Sequence, residues 1–321
     1  LCQALVAGGQ PVRAFYRPRA DGSIPLLLQG LEIEHCTGDI TDAGALARAM
    51  HDVDIVFHTA AKLGSSGNTE TLYAVTVGGT RNVLEAALQA KVARVVHTSS
   101  VAVLGVPGWK LPVSSQTIPV DEQHTWNFPP AWWRYGHGKY LAELVVQEYV
   151  ARGLDVVIVN PAIVAGAGDI NRITGELIFR IASGRFFFSL PGGANTIHID
   201  DVVAGHLAAW NHGRTGERYI LGGENLTHLA FHTLIAEVTG VAAPRFVLPA
   251  APVRLAAGML APLGKAVPFS TSTLRKAGYF FFFDSSKARM ELGFSATRPV
   301  KQAIAEAWAW YQQMGMARSK P

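Results

Sequence analysis

The sequence predicts an α/β fold, a doubly wound parallel sheet followed by a smaller, helix-rich domain. Two observations carry this expectation. Through about residue 166, short apolar runs alternate with helical patterns across short joints, as in parallel strands covered on both faces by helices. Beyond that point helical periodicity dominates. The chain has 321 residues, 49% hydrophobic and 16% charged, enough for one large domain or two unequal ones. Its net charge of +4 is scattered without a dense basic run, which argues against nucleic acid as a partner. Cys2 and Cys36 make neither a disulfide framework nor a metal motif, and so few cysteines fit a reducing, cytoplasmic setting. No apolar run reaches membrane-spanning length, and no metal is expected.

In chain order, residues 1–9 read as the tail of an amphipathic helix ended by Gly8-Gly9. Strands are expected at 12–16, 31–36, 54–59, 93–99 and 154–160. Between them fall helices at 42–50 and 70–90, then a Pro- and Trp-rich loop and a helix that carries Lys139 and reaches 152. Later helices are expected at 174–183, 200–212, 227–239, 252–263, 285–292 and 300–314. Short strands are placed at 186–189, 218–221 and 244–248, and the aromatic runs 186–188 and 280–283 are read as core. The domain reading is 1–165 for the large domain, with 196–222 returning to it, and 166–195 with 223–321 for the smaller one.

An open parallel sheet binds ligands at the carboxyl ends of its strands. That rule selects Arg17, Asp39, Ala60, Ser99-Ser100 and Asn160-Pro161. Arg17 is either a solvent-facing arginine or a contact for a ribose 2′-phosphate, which would favour NADP over NAD. Asp39 either accepts from an adenine amine, with Ile40 packed beside the ring, or caps a turn. Ala60 and Ala61 either let a flat ligand approach the backbone or make a tight joint, and Lys62 meets a phosphate or solvent. The Thr98-Ser99-Ser100 hydroxyls mark a turn or meet a substrate oxygen.

Tyr135 and Lys139 lie four residues apart at the start of a helical run, so they share a face. Most such pairs are solvated. A phenol beside an ammonium is also a proton-transfer pair, because a nearby cation favours the phenolate.

Together these segments resemble the extended short-chain dehydrogenases/reductases, the NAD-dependent epimerase/dehydratase superfamily. The matching pieces are Gly38-Asp39-Ile40, His58-Thr59-Ala60-Ala61, Gly79-Thr80-Arg81-Asn82-Val83, Thr98-Ser99-Ser100, Tyr135-x-x-x-Lys139, Asn160-Pro161-Ala162 and His198-Ile199-Asp200-Asp201-Val202. Asn160-Pro161-Ala162, Gly222-Gly223-Glu224-Asn225-Leu226-Thr227 and Phe283-Asp284-Ser285-Ser286-Lys287-Ala288 are similar to the dihydroflavonol-reductase-like branch. Within that branch they are most similar to bacterial hopanoid-associated sugar epimerase-like proteins.

The resemblance implies a Rossmann-type nucleotide domain, bound NADP with NAD as the alternative, and a Ser-Tyr-Lys site. Tyr135 would be the acid/base. Lys139 would hold the nicotinamide ribose and lower the Tyr135 pKa, and Ser100, with Ser99 as the alternative, would orient the substrate oxygen. It further implies cofactor contacts from Thr76, Thr98, Asn160, Pro161, Ala162 and Ile163, and a homodimer built on helices 70–90 and 135–152. By the same analogy the substrate pocket takes in Val164, Arg172, Phe187 and His198 with Ser100, while Trp133 either lids the ring or packs.

Three departures stand out. A first strand and Gly-rich phosphate turn, about 15 residues, would precede Leu1, and the sequence in hand is read as incomplete there. Thr76 stands where an Asn is usual, and Gly136 and Gly138 flank His137 inside the helix, each costing about 1 kcal/mol. A mostly apolar pocket wall suits a hydrophobic ketone or secondary alcohol. The competing functions are a sugar epimerase or dehydratase with no net cofactor turnover, and a non-catalytic NADP sensor.

Overall fold

The computed structural model describes residues 1–62, 68–109, 117–184, 186–260 and 270–317. Its first part runs α1 (Cys2–Ala7), β1 (Arg13–Tyr16), β2 (Glu34–Thr37), α2 (Ala43–Ala49) and β3 (Ile55–His58). Then come α3 (Thr69–Tyr73), α4 (Gly79–Gln89), β4 (Arg94–Thr98), α5 (Arg134–Ala151) and β5 (Val156–Pro161). The second part runs β6 (Ile163–Ala165), α6 (Gly175–Ala182), β7 (Phe188–Ser189), β8 (Gly193–His198), α7 (Ile199–His212) and β9 (Arg218–Leu221). It closes with β10 (Glu224–Thr227), α8 (His228–Thr239), β11 (Phe246–Val247), α9 (Ala250–Leu260), α10 (Thr271–Arg275), β12 (Phe280–Phe281), α11 (Ser286–Leu292) and α12 (Val300–Gln313). No helix of the described residues is long and apolar enough to cross a membrane.

The main sheet has the order β3-β4-β5-β9, every pair parallel. β5 shows why it must be covered twice. Val157 and Val159 point into one core with Val202 and Ala209 of α7. Val156 and Ile158 point into another with Val83 of α4 and Val145 and Val146 of α5. Alternate residues thus bury against helices on opposite faces, the doubly wound arrangement the sequence predicts. β1 and β2 form a separate parallel pair, and among the described residues no strand joins β1 to β3. The residues facing that gap and those past the end of β4 line one continuous cleft.

The second part is helix-rich, from α6 to α12, and holds more sheet than the sequence predicts. It holds a four-stranded sheet in which β8 pairs antiparallel with β10 and parallel with β6 and β12. β8 buries the polar residues Asn195, Thr196 and His198, and β10 is mostly exposed, so neither shows apolar alternation. Asn195 donates to Asn225 Oδ1 at 2.8 Å and accepts from the Gly223 amide at 2.8 Å, which satisfies both groups within the protein. Of the Phe280 to Phe283 run, Phe280 and Phe281 form β12. The helix expected at 70–90 is interrupted by a wide π-helical turn over Ala74–Gly78, where the Thr80 hydroxyl donates back to the Thr76 carbonyl at 2.7 Å. The helix expected at 252–263 starts at Ala250, and residues 261–263 lie outside the described residues.

Candidate active site

The chemistry gathers where β4 ends. The Ser100 hydroxyl accepts from the Ala102 amide at 3.2 Å, and the Ser100 carbonyl accepts from Asn160 Nδ2 at 3.1 Å. The residue is therefore held from both sides, with its hydroxyl beside the Tyr135 phenol. Both line the cleft. Tyr135 lies in the first turn of α5, and Lys139 and Glu143 follow at four-residue intervals, so the three form one stripe.

Lys139 is buried and donates to the Thr98 carbonyl at 2.8 Å. Burial draws its pKa down to about 8, with Glu143 pulling the other way. Glu143 is buried too, accepting from Asn160 Nδ2 at 2.7 Å and from Arg218 at 3.2 Å, and its pKa is raised by burial. The Tyr135 phenol stands above its ordinary value, because burial outweighs the favourable Ser100 hydroxyl. The expected lowering by Lys139 is thus not what this environment produces. In the chain alone the phenol keeps its proton, the form a general acid needs.

An amine is charged below its pKa, so Lys139 is an ammonium below about pH 8 and loses that charge above it. Activity that depends on the ammonium is expected to fall above about pH 8, by about tenfold per unit in kcat/KM. A pH–rate profile from 6 to 10 checks this.

Behind Lys139 lie His58 and His97, paired across β3 and β4 with ring centroids 5.2 Å apart. Burial first, then the Lys139 charge, lowers His58 to about 3, and burial, His58 and Lys139 lower His97 as well. Both are neutral. Because Thr80 gives its hydroxyl proton to Thr76, it accepts from His58 Nε2 at 3.1 Å, which fixes that tautomer. His97 has no hydrogen-bond partner at either nitrogen among the described residues, and neither does the Thr76 hydroxyl.

The two glycines of α5 have a packing reason. A Cβ at Gly136 would stand 2.7 Å from the Trp126 ring and 3.1 Å from the Ala102 carbonyl, and one at Gly138 would stand 2.8 Å from Leu72. They let α5 press against the loop and α3. His137, between them, pairs with the Tyr73 hydroxyl at 3.0 Å. Gly136→Ala gains about 1 kcal/mol of helix propensity but meets an overpacking cost of about 1–3 kcal/mol. A net loss of about 1 kcal/mol is expected in urea unfolding.

The other candidates divide. Ile40, Ala60, Ala162, Ile163, Val164, Trp133 and Arg172 line the cleft with Ser100 and Tyr135. Arg17, with 78% of its side chain exposed, lies 3.9 Å from Asp39, whose other oxygen accepts from the Thr41 amide and hydroxyl. Asp42, not Asp39, caps α2. Ala61, Lys62 and Pro161 are not among the cleft residues. Four placements correct the expectation. Thr98 works through its carbonyl, since its hydroxyl pairs with His206 at 2.8 Å. Asn160 is fully buried and braces Ser100 and Glu143 from behind. Thr76 is buried in the π-helical turn. Phe187 is 60% exposed and meets Phe188 edge-on and Phe246 at a tilt.

His198 is fully buried and outside the cleft. Its Nδ1 accepts from the Asp200 amide at 3.1 Å, so Nε2 carries the proton and donates to Glu306 at 2.9 Å. It thereby caps α7. His198, Asp200 and Glu306 converge, but both histidine nitrogens are already engaged within the protein.

Sequence reasoning missed Glu143, although it continues the four-residue spacing of Tyr135 and Lys139 by one more step. The donor set suits a nicotinamide dinucleotide. Of the three donors on the Lys139 ammonium, one goes to Thr98, and no hydrogen bond takes the others among the described residues. Small residues, Ala60 and Ala162, line the cleft beside Ser100 and Tyr135.

A family model for the NAD dependent epimerase/dehydratase family matches residues 1–222. Over its whole length the chain is 35% identical to a Synechocystis protein provisionally named dihydroflavonol 4-reductase, of which 93% is covered. It is 33% identical, over 98% of this chain and 95% of the other, to sterol demethylase protein B of Methylococcus capsulatus. A solved structure described as a nucleoside-diphosphate-sugar epimerase from Pseudomonas aeruginosa superposes with a TM-score of 0.78 at 29% identity, covering 99% of this chain and 94% of that one.

Proposed function

We propose, from the premise that the chain belongs to the NAD dependent epimerase/dehydratase family, that it is an NADP-preferring oxidoreductase reducing a ketone, or oxidising a secondary alcohol, on a fairly apolar small molecule. The observation that carries this is the meeting of Ser100 and Tyr135 in a cleft whose further wall is apolar. Ile163 and Ile173 stand 44% and 59% exposed there, alongside Val164 and Trp133. A nicotinamide dinucleotide, when bound, supplies or accepts the hydride. Lys139 would hold its ribose with the unspent ammonium donors, and Ala60, Ala162 and Ile163 would flank it. Tyr135 gives its proton to the carbonyl oxygen, while Ser100 hydrogen-bonds that oxygen and fixes its place.

Arg17, exposed beside Asp39, supports NADP over NAD as the recogniser of a 2′-phosphate. In the same reading 1–165 with 196–222 carries the nucleotide and the remainder the substrate. The enzyme is cytoplasmic, and two copies pair through helices 70–90 and 135–152, where Leu144 is 45% exposed. The alternative, a sugar epimerase, has the support of the Pseudomonas aeruginosa structure's description. Assay with a ketone panel separates them. Stoichiometric NADPH loss is expected, whereas product formed without net cofactor change would replace this reading with the epimerase.

A further inference from the structure

The cleft holds a second cation that the chemistry above does not use. Lys276, just past the end of α10, lines the cleft with Ser272 one turn earlier. Positions four apart share a helix face, which sets the two residues on one side of α10. The Lys276 Nζ lies 3.6 Å from the Trp133 ring centroid and 5.5 Å from that of Phe281. Trp133 also lines the cleft, two residues before Tyr135. Among the described residues no carboxylate pairs with the Lys276 ammonium. Burial alone draws it down to about 7, and the titratable group that feels its charge, His228, is itself held neutral at about 4. The Ser272 hydroxyl is buried with no hydrogen-bond partner.

A desolvated ammonium and an orphaned hydroxyl are each costly to keep, and aromatic faces recover only part of that cost. Two other charged residues of the cleft lining, Asp169 and Arg172, are already engaged. Asp169 accepts from the amides of Ile173, Thr174 and Gly175 and from the Tyr311 hydroxyl. Arg172 stacks its guanidinium over the Phe179 ring at 4.8 Å.

We propose that Lys276 and Ser272 together receive a carboxylate carried by the substrate's otherwise apolar skeleton, and so select acids over neutral analogues. One ammonium and one hydroxyl match the two oxygens of a carboxylate. A sugar-nucleotide diphosphate would bring more charge and more oxygens than these two groups can meet. The inference rests on the reading of this cleft as the substrate site of a reductase and deepens it by naming the substrate class.

The test is calorimetric binding of 4-acetylbenzoate and its methyl ester to the full chain with NADP present. Wild-type protein is expected to prefer the acid by about 30-fold, the range of a charge-assisted hydrogen bond. Lys276→Met is expected to abolish that preference while ester affinity stays put, showing that the cleft is intact. Ser272→Ala is expected to cut it by about fivefold, and Lys276→Arg to retain part of it. Equal binding of acid and ester by the wild type, or a preference that survives in Lys276→Met, overturns the proposal. Binding needs no turnover, so an acid preference in a protein that reduces neither probe would count against the reductase reading alone.

Discussion

Replacing Tyr135 with Phe is expected to lower turnover by about 10³-fold, within the 10²–10⁴ range of general acid–base catalysis, while nucleotide affinity changes by less than about twofold. The change removes one oxygen and keeps the ring that fills the cleft wall. Burial holds this phenol in its protonated form, and Ser100 lies against it. Lys139 is turned to the Thr98 carbonyl, and His58 and His97 are buried and neutral behind it. The phenotype should therefore appear in kcat and kcat/KM equally, with dissociation constants unmoved. Single-turnover kinetics with fluorescence titration of the nucleotide measures both. Retained activity in this variant would move the acid elsewhere.

Glu143→Ala is expected to cost about 3–5 kcal/mol of stability, the usual penalty for leaving a buried charge without its partner. Three groups lean on that carboxylate. Asn160 and Arg218 hydrogen-bond it at 2.7 and 3.2 Å, and its charge helps keep Lys139 protonated. Arg218 sits on β9 and Asn160 on β5, so the loss loosens α5 from two strands of the main sheet. Glu143→Gln keeps an acceptor for Asn160 and should recover most of the stability in urea unfolding. It still removes the charge that supports the Lys139 ammonium. The fall in activity on the alkaline side is therefore expected to move below about pH 8 in Glu143→Gln. A limb that stays in place would show that Glu143 is structural only.

Much of this was legible locally. The β5 run Val156-Val157-Ile158-Val159 declares a strand buried on both faces, and the four-residue step from Tyr135 to Lys139 declares a shared helix face. Strand ends marked the side of the sheet where Ser100 and Ala60 meet the cleft. What the sequence hid depends on partners distant along the chain. β8 and β10 are held by Asn195 and Asn225, which resemble loop residues until each finds the other. The glycines around His137 acquire a reason only when Trp126 and Leu72 are packed against them. His198 belongs to a helix cap because Glu306, more than a hundred residues later, takes its other nitrogen. Lys276 carries no local signal at all, since its meaning lies in Trp133 on a different element.

The most direct test of hydride transfer at the Ser100–Tyr135 site is an isotope experiment with NADPH deuterated at both C4 positions and a ketone that the protein turns over. One deuterium should appear at the new carbinol carbon for each NADPH consumed. Product free of deuterium, or product formed while NADPH is unchanged, would contradict the account.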